Sequence, residues 1–174
     1  MGFGPIYLGP PDTFGDLVTK TNNRQNRIEI RDFVSLDQEQ LRIKTELAVE
    51  GIDYQVLRSD GFKSSATSFD LVESTTALAC ATGDPELAVH LKREISKLWD
   101  DIRKHPYTRL FNDKVSGPYV WQCVQLQRKI DTQLEALGAA EPMAKNKSVL
   151  IWGNRIISSI AFKTIDSASF QRKG

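Results

Sequence analysis

Asp84 followed at once by Pro85 constrains this chain more than any other pair of neighbours. Asp is a strong helix N-cap, and proline, with φ already near the helical value and no N–H to leave unbonded, belongs at the first helical position. Behind the pair, Leu87, Leu91, Ile95, Leu98 and Ile102 recur every three or four residues, and Pro106 closes the run. This pattern predicts one long amphipathic helix over 85–104.

Other helices follow from the same reasoning. Ser35 with Gln38 three residues later fits a capping box, and Leu36, Ile43, Leu47 and Val49 supply an apolar face up to a stop at Gly51. Thr67 or Ser68 is placed to cap a second helix through FDLVESTTALACAT to Gly83. Beyond a Gly117-Pro118 break, a helix from Tyr119 to Leu137 carries Val120, Cys123 or Val124, Leu126, Ile130 and Leu134. Gly138 to Asn146 reads as a linker of small residues. The last helix, Ser148 to Thr164, is apolar almost all round, which predicts a place in the centre of the core.

Strand signals are few. Ile28 and Ile30, with Val34, alternate with polar neighbours, and Ile52 to Arg58 is short, aromatic and β-branched before a Ser59-Asp60-Gly61 turn. The expected fold class is mainly α: a bundle-like helical domain with a small β element near the N-terminus. Residues 1–16, rich in Gly and Pro, read as an irregular arm or the boundary of a piece of a longer chain. Residues 17–61 form an Asn/Gln-rich strand-helix-strand segment, 62–165 a helical module, and 166–174 a polar tail.

Composition excludes more than it proposes. With 174 residues, 23 Lys and Arg, and 22 Asp and Glu, the chain suits one main domain of formal charge +1. Bulk attraction to nucleic acid or a membrane surface is therefore not expected, and any such partner must be held by a local patch. No apolar run is long enough to span a bilayer, so a cytoplasmic chain with no membrane partner is expected. Cys80 and Cys123 lack metal-spaced neighbours and read as buried thiols.

Catalytic patterns are equally sparse. The two histidines, His90 and His105, stand in ordinary helical surroundings; there is no phosphate-binding Gly-rich loop, no GxSxG and no paired-His metal motif. A metal-dependent nuclease site needs an acid and a Glu-x-Lys, and no Glu-x-Lys occurs. No cofactor, metal or catalytic residue is assigned, and the chain alone reads as a non-enzyme. Trp99, Trp121 and Trp152 sit beside aliphatic residues and are expected as core anchors, while Tyr107 and Phe111, four residues apart, should close a helix corner.

One stretch remains. TNNRQNRI, residues 21–28, places Asn22, Asn23, Arg24, Gln25, Asn26 and Arg27 together, with Lys20 and Arg31 adding to a local basic cluster. Amides can bridge backbone groups or read a base edge, and an arginine can grip a phosphate with two parallel bonds. A turn-capping, backbone-satisfying role is the plainer account, because Asn-rich loops do this commonly. These six residues are the candidate ligand or nucleic-acid contact.

The string KTNNRQNRIEIRDFVSLDQEQLRIKTELAVEGIDYQVLRSDG resembles the abortive infection phage resistance (AIPR) family. In that family an Asn-x-x-Gln-x-x-Ile stretch leads into a helix with Asp and Gln near its start, then a Gly-Ile-x-Tyr strand ending in a basic residue. The matching positions are Asn22 or Asn23, Gln25 or Asn26, Ile28, Asp32, Asp37, Gln40, and Gly51 to Arg58. The Ala-rich helix before Cys80, HPYTRLFND and IWGNRIISSIAF are similar to its later helical part. Family members are longer, with a Gly-x-Gln-Thr-like motif upstream, so the resemblance implies a C-terminal portion whose upstream half is a partner. It implies a non-catalytic phage-defence module with a binding or assembly role. The alternatives are part of a nuclease-type toxin whose active site lies mostly upstream, and a structural scaffold that dimerises through its apolar last helix.

Overall fold

The computed structural model describes residues 32–57 and 61–169, with side chains through residue 165. The strand expected at Ile28 to Ile30 lies outside the described residues. The domain is mainly helical with one small two-stranded sheet. After a helical turn at 32–35 come α1 (Gln38–Val49), β1 (Asp53–Gln55), β2 (Ser68–Asp70), α2 (Leu71–Ala81) and α3 (Pro85–Arg93). A 3-10 turn (Ile95–Leu98), the one-turn α4 (Tyr107–Leu110), and then α5 (Gly117–Ala140), α6 (Ala144–Trp152) and α7 (Asn154–Ser169) complete it.

Helix α1 starts later than the capping box predicts. Ser35 Oγ donates to the Asp32 carbonyl at 2.6 Å, and Asp37 takes the N-cap position without capping through its side chain. Leu36 therefore lies before the helix and is 72% exposed, while Gln40, Ile43 and Leu47 face inward. Gly51 ends the turn as expected, with φ +74°, a left-handed conformation that a side chain disfavours.

The segment after Gly51 makes β1, which pairs in parallel with β2 in the register Asp53 to Ser68, Tyr54 to Phe69 and Gln55 to Asp70. This pairing corrects the expected start of the next helix at Thr67 or Ser68. Residues 68–70 are held extended by β1, so α2 begins at Leu71, with Asp70 accepting from the Glu73 N–H at 2.9 Å. Tyr54, Phe69 and Trp121 stack in turn, at centroid separations of 4.8 and 5.4 Å, and seat the sheet on α5. Helix α2, with Ala77, Ala79 and Cys80 fully buried, packs against α3, α5 and α7 in the middle of the core.

Asp84 and Pro85 start α3 as expected, the Asp84 carboxylate accepting from the Glu86 N–H at 2.9 Å. The long helix over 85–104 is a correction: α3 stops at Arg93, and Glu94 is extended at φ −162°, ψ 86°. The break redirects the chain so that Leu98 and Trp99 are buried, whereas Ile95 and Ile102 are only half-buried. Helical periodicity continues across such a break because a 3-10 turn spaces apolar residues almost as an α-helix does.

Gly117-Pro118 is the first turn of α5, not a break before it. Ser116 accepts from the Tyr119 N–H at 3.3 Å, and proline is tolerated in the first turn. Helix α5 continues through Gly138 to Ala140, so the expected linker shrinks to residues 141–143.

The last helix is also corrected. It is two helices, α6 and α7, separated at Gly153, and it lies at the edge of the core. Ser158, Ser159 and Phe162 are buried, while Val149, Trp152 and Ile160 are 59%, 74% and 61% exposed. A helix apolar on all sides has more apolar surface than α2, α3 and α5 can cover, and the small Ser158–Ser159 face is the one that approaches them closely. Trp99 and Trp121 are core residues as expected, but Trp152 is not. Among the described residues no helix is long and apolar enough to cross a membrane.

Gly117 sits hard against α1: a Cβ there would meet the Ile43 carbonyl oxygen and Glu46 Cβ, both at 2.9 Å. Gly117→Ala should lower stability by about 1–3 kcal/mol through overpacking, read as a reduced urea midpoint with an unchanged slope.

Candidate functional site

The candidate contact residues Asn22, Asn23, Arg24, Gln25, Asn26 and Arg27 lie outside the described residues. The polar residues that follow them in the sequence are described, and they converge on one buried chain of hydrogen bonds. Tyr107 Oη donates to Asp37 Oδ2 at 2.6 Å and accepts from Gln40 Nε2 at 3.0 Å. Gln40 Oε1 accepts from Tyr54 Oη at 2.7 Å, and Ser74 Oγ lies 3.1 Å from that hydroxyl and 3.0 Å from the Leu71 carbonyl. Gln40 and Ser74 have no exposed surface, and Tyr54 and Tyr107 are 1% exposed.

Each member arrives from a different element for a local reason. Asp37 and Gln40 are three residues apart at the start of α1, so both reach the same side. Tyr54 is the middle residue of β1, whose inward side it occupies, and Ser74 lies one turn into α2. Tyr107 enters from α4, its ring 5.1 Å from Phe111, and both rings are buried as the corner expected of this pair. Burial, Asp37 and the coupling to Tyr54 raise the Tyr107 phenol well above its ordinary range, with the Gln40 amide opposing them. A phenol held neutral, with its proton committed to Asp37, is a structural donor rather than a base.

Two arginines do comparable work nearby. Arg42 joins Glu39 and Glu46 and donates to the carbonyls of Asn112 and Val115 at 3.0 and 2.8 Å, while Glu46 accepts the Gly117 N–H at 2.6 Å. The Gly117 N–H and then Arg42 hold the Glu46 carboxyl below its ordinary value. Arg128 bridges Glu73 and the carbonyls of Ser65 and Ser68, and its guanidinium lies 5.3 Å from the Trp121 ring centre. Both guanidinium groups are committed to protein acceptors, so neither is a free phosphate grip.

Between α5 and α7, Arg155 holds Asp131 at 2.9 and 3.0 Å, and Gln127 Nε2 donates to Asp131 and Ser158. Gln127 Oε1 and Asn154 Oδ1 are the buried side-chain acceptors without a partner among the described residues. Cys80 and Cys123 are buried thiols, as expected, and burial pushes the Cys80 thiol up to about 11, with Arg155 acting the other way.

Phe33, Trp99 and residues Asp100 to Arg103 line a cleft of about 490 Å3. Desolvation and the Glu94 charge raise the Asp100 carboxyl, against Lys97. His90 is half-buried and His105 exposed, and no group of three or more His, Cys, Asp or Glu among the described residues could hold a metal ion.

The arrangement of Tyr107 and Ser74 with Gln40 is invisible in sequence, because the partners are 67 and 34 positions away from it. No protein-family model, curated protein or solved structure matches the chain.

Tyr107→Phe leaves the Asp37 carboxylate and the Gln40 amide each short of a partner, and should cost about 1–3 kcal/mol in urea unfolding near neutral pH. The pH dependence has a definite sign. The folded phenol titrates above the unfolded one, so its contribution is intact below about pH 10 and is lost as pH rises further. Tyr107→Phe should therefore flatten the alkaline decline in stability. For Cys80, whose thiol is raised to about 11, iodoacetamide at pH 8 should label the folded chain much more slowly than the urea-unfolded chain.

Proposed function

We propose that this chain is a non-catalytic helical module of an abortive-infection phage-defence protein. It acts by binding and assembly, with an upstream half of the parent protein as its partner and a nucleic-acid or nucleotide contact at Asn22 to Arg27. The observation that carries the reading is the Asp37–Tyr107–Gln40–Tyr54 chain. Polar residues of the family-like segment spend their hydrogen bonds on each other, which is what a segment that fixes a scaffold does and a reacting centre does not. The preceding amides and arginines are then left as the part of that segment suited to an external ligand. The Arg42 and Arg128 guanidinium groups, both committed within the protein, support the same division.

Filter binding of the chain to single-stranded and duplex DNA and RNA at low salt tests this. Binding is expected, and Arg24→Ala/Gln25→Ala/Arg27→Ala should weaken it at least ten-fold and reduce the salt slope by about 2. Affinity unchanged in the triple variant, or none in the parent chain, refutes the contact. Cleavage of either nucleic acid by the chain with added Mg2+ refutes the non-catalytic assignment.

A further inference from the structure

The end of the bundle where α5 finishes, α6 crosses and α7 begins carries apolar side chains that the fold does not cover. Met143, Val149, Ile151, Trp152, Ile156 and Ile160 are 44–74% exposed, and α6 has no buried residue at all. At that exposure the six leave on the order of 700 Å2 bare, close to the roughly 800 Å2 that one partner contributes to a standard interface. Monomeric surfaces seldom leave so much apolar area together without a use for it.

Charge says what the occupant is. From residue 141 to residue 165 the chain has Lys145, Lys147, Arg155 and Lys163 against a single acid, Glu141, whose carboxylate accepts the Met143 N–H. Arg155 is neutralised by Asp131, and Lys163 packs beside Gly83, just past the end of α2. Lys145 and Lys147 stay exposed on α6 itself. Lys92, from the end of α3, joins them: its Nζ donates to the Ile151 carbonyl at 2.9 Å and stands 5.8 Å from the centre of the Trp152 ring. An apolar surface rimmed by ammonium groups repels a second copy of itself. A nucleic-acid backbone would answer the lysines but leave the apolar side chains wet. An anionic lipid surface answers both, with aliphatic chains and an indole at the headgroup boundary and lysines toward the lipid phosphates and carboxylates.

We propose that this end of the bundle, centred on Trp152, docks on anionic membrane surfaces. The chain lies on the bilayer and does not cross it. The near-neutral whole-chain charge is consistent with this, since the attraction comes from a local patch.

Trp152 is also the reporter. Trp99 and Trp121 are 6% and 8% exposed, so a change in tryptophan environment on docking belongs to Trp152. The chain is titrated at low salt with vesicles of phosphatidylcholine alone and of phosphatidylcholine mixed with phosphatidylserine. Binding is expected to the mixed vesicles, with a blue-shifted emission and co-sedimentation that both fade as salt is added. Lys145→Glu/Lys147→Glu should weaken it at least thirty-fold, about five-fold for each charge lost and more for the reversal. Trp152→Phe should keep the sedimentation and lose the blue shift. These positions are exposed, so circular dichroism should show every variant folded. No binding to either vesicle, or equal binding to both, overturns the proposal. So does light scattering that finds a dimer broken by Trp152→Glu, which gives the face to a second copy.

Discussion

The Gln40 side chain, wholly buried one turn into α1, is the point from which the arrangement of the N-terminal half is set. Its amide presents a donor to Tyr107 and an acceptor to Tyr54, and those two phenols come from α4 and β1. A buried amide without partners costs more than the net value of the bonds it makes, so the geometry is enforced by what would be lost. Once Gln40 is satisfied, the position of β1 against α2 and the approach of the 107–111 corner are no longer independent. Apolar packing alone would not give that uniqueness, since Ile43, Leu47, Leu71 and Leu110 could fill the same volume in more than one way.

Arginines extend the same logic to irregular backbone. The 112–117 loop and the Ser65–Ser68 bridge present carbonyls with acceptor capacity to spare, and Arg42 and Arg128 reach them. Each guanidinium is balanced by a carboxylate, Glu46 one turn along the same helix for Arg42 and Glu73 of α2 for Arg128, so the charge is not stranded. Arg128 further lies over Trp121, which is itself stacked on Phe69. Sheet, bridge and α5 are thereby joined at one place.

The legible part of the fold was its class and its punctuation. Asp84-Pro85 started a helix and Gly51 ended one because each acts through local geometry that needs no distant partner. Elsewhere local signals lost to tertiary ones. Ser68 is a good cap in isolation, but pairing with Asp53 keeps it extended. Leu87 to Ile102 has helical spacing, yet the chain turns at Glu94 to bring Leu98 and Trp99 inside. Asp37 and Gln40 were legible as polar positions at a helix start but not as partners of Tyr107, because a hydrogen bond across 67 or 70 residues leaves no periodicity.

The apolar last helix shows the limit of composition most directly. The many apolar residues between Val149 and Phe162 predict burial, but burial needs neighbours, and α7 finds them along only one side. That side carries Ser158, Ser159 and Phe162: Ser158 accepts from Gln127 of α5, while Ser159 returns its hydroxyl to the Arg155 carbonyl of its own helix. Phe162 fills the core on that side, while Ile156 and Ile160 turn outward. An apolar helix attached to its bundle by two serines and one phenylalanine buries a single stripe and leaves its remaining apolar side chains exposed.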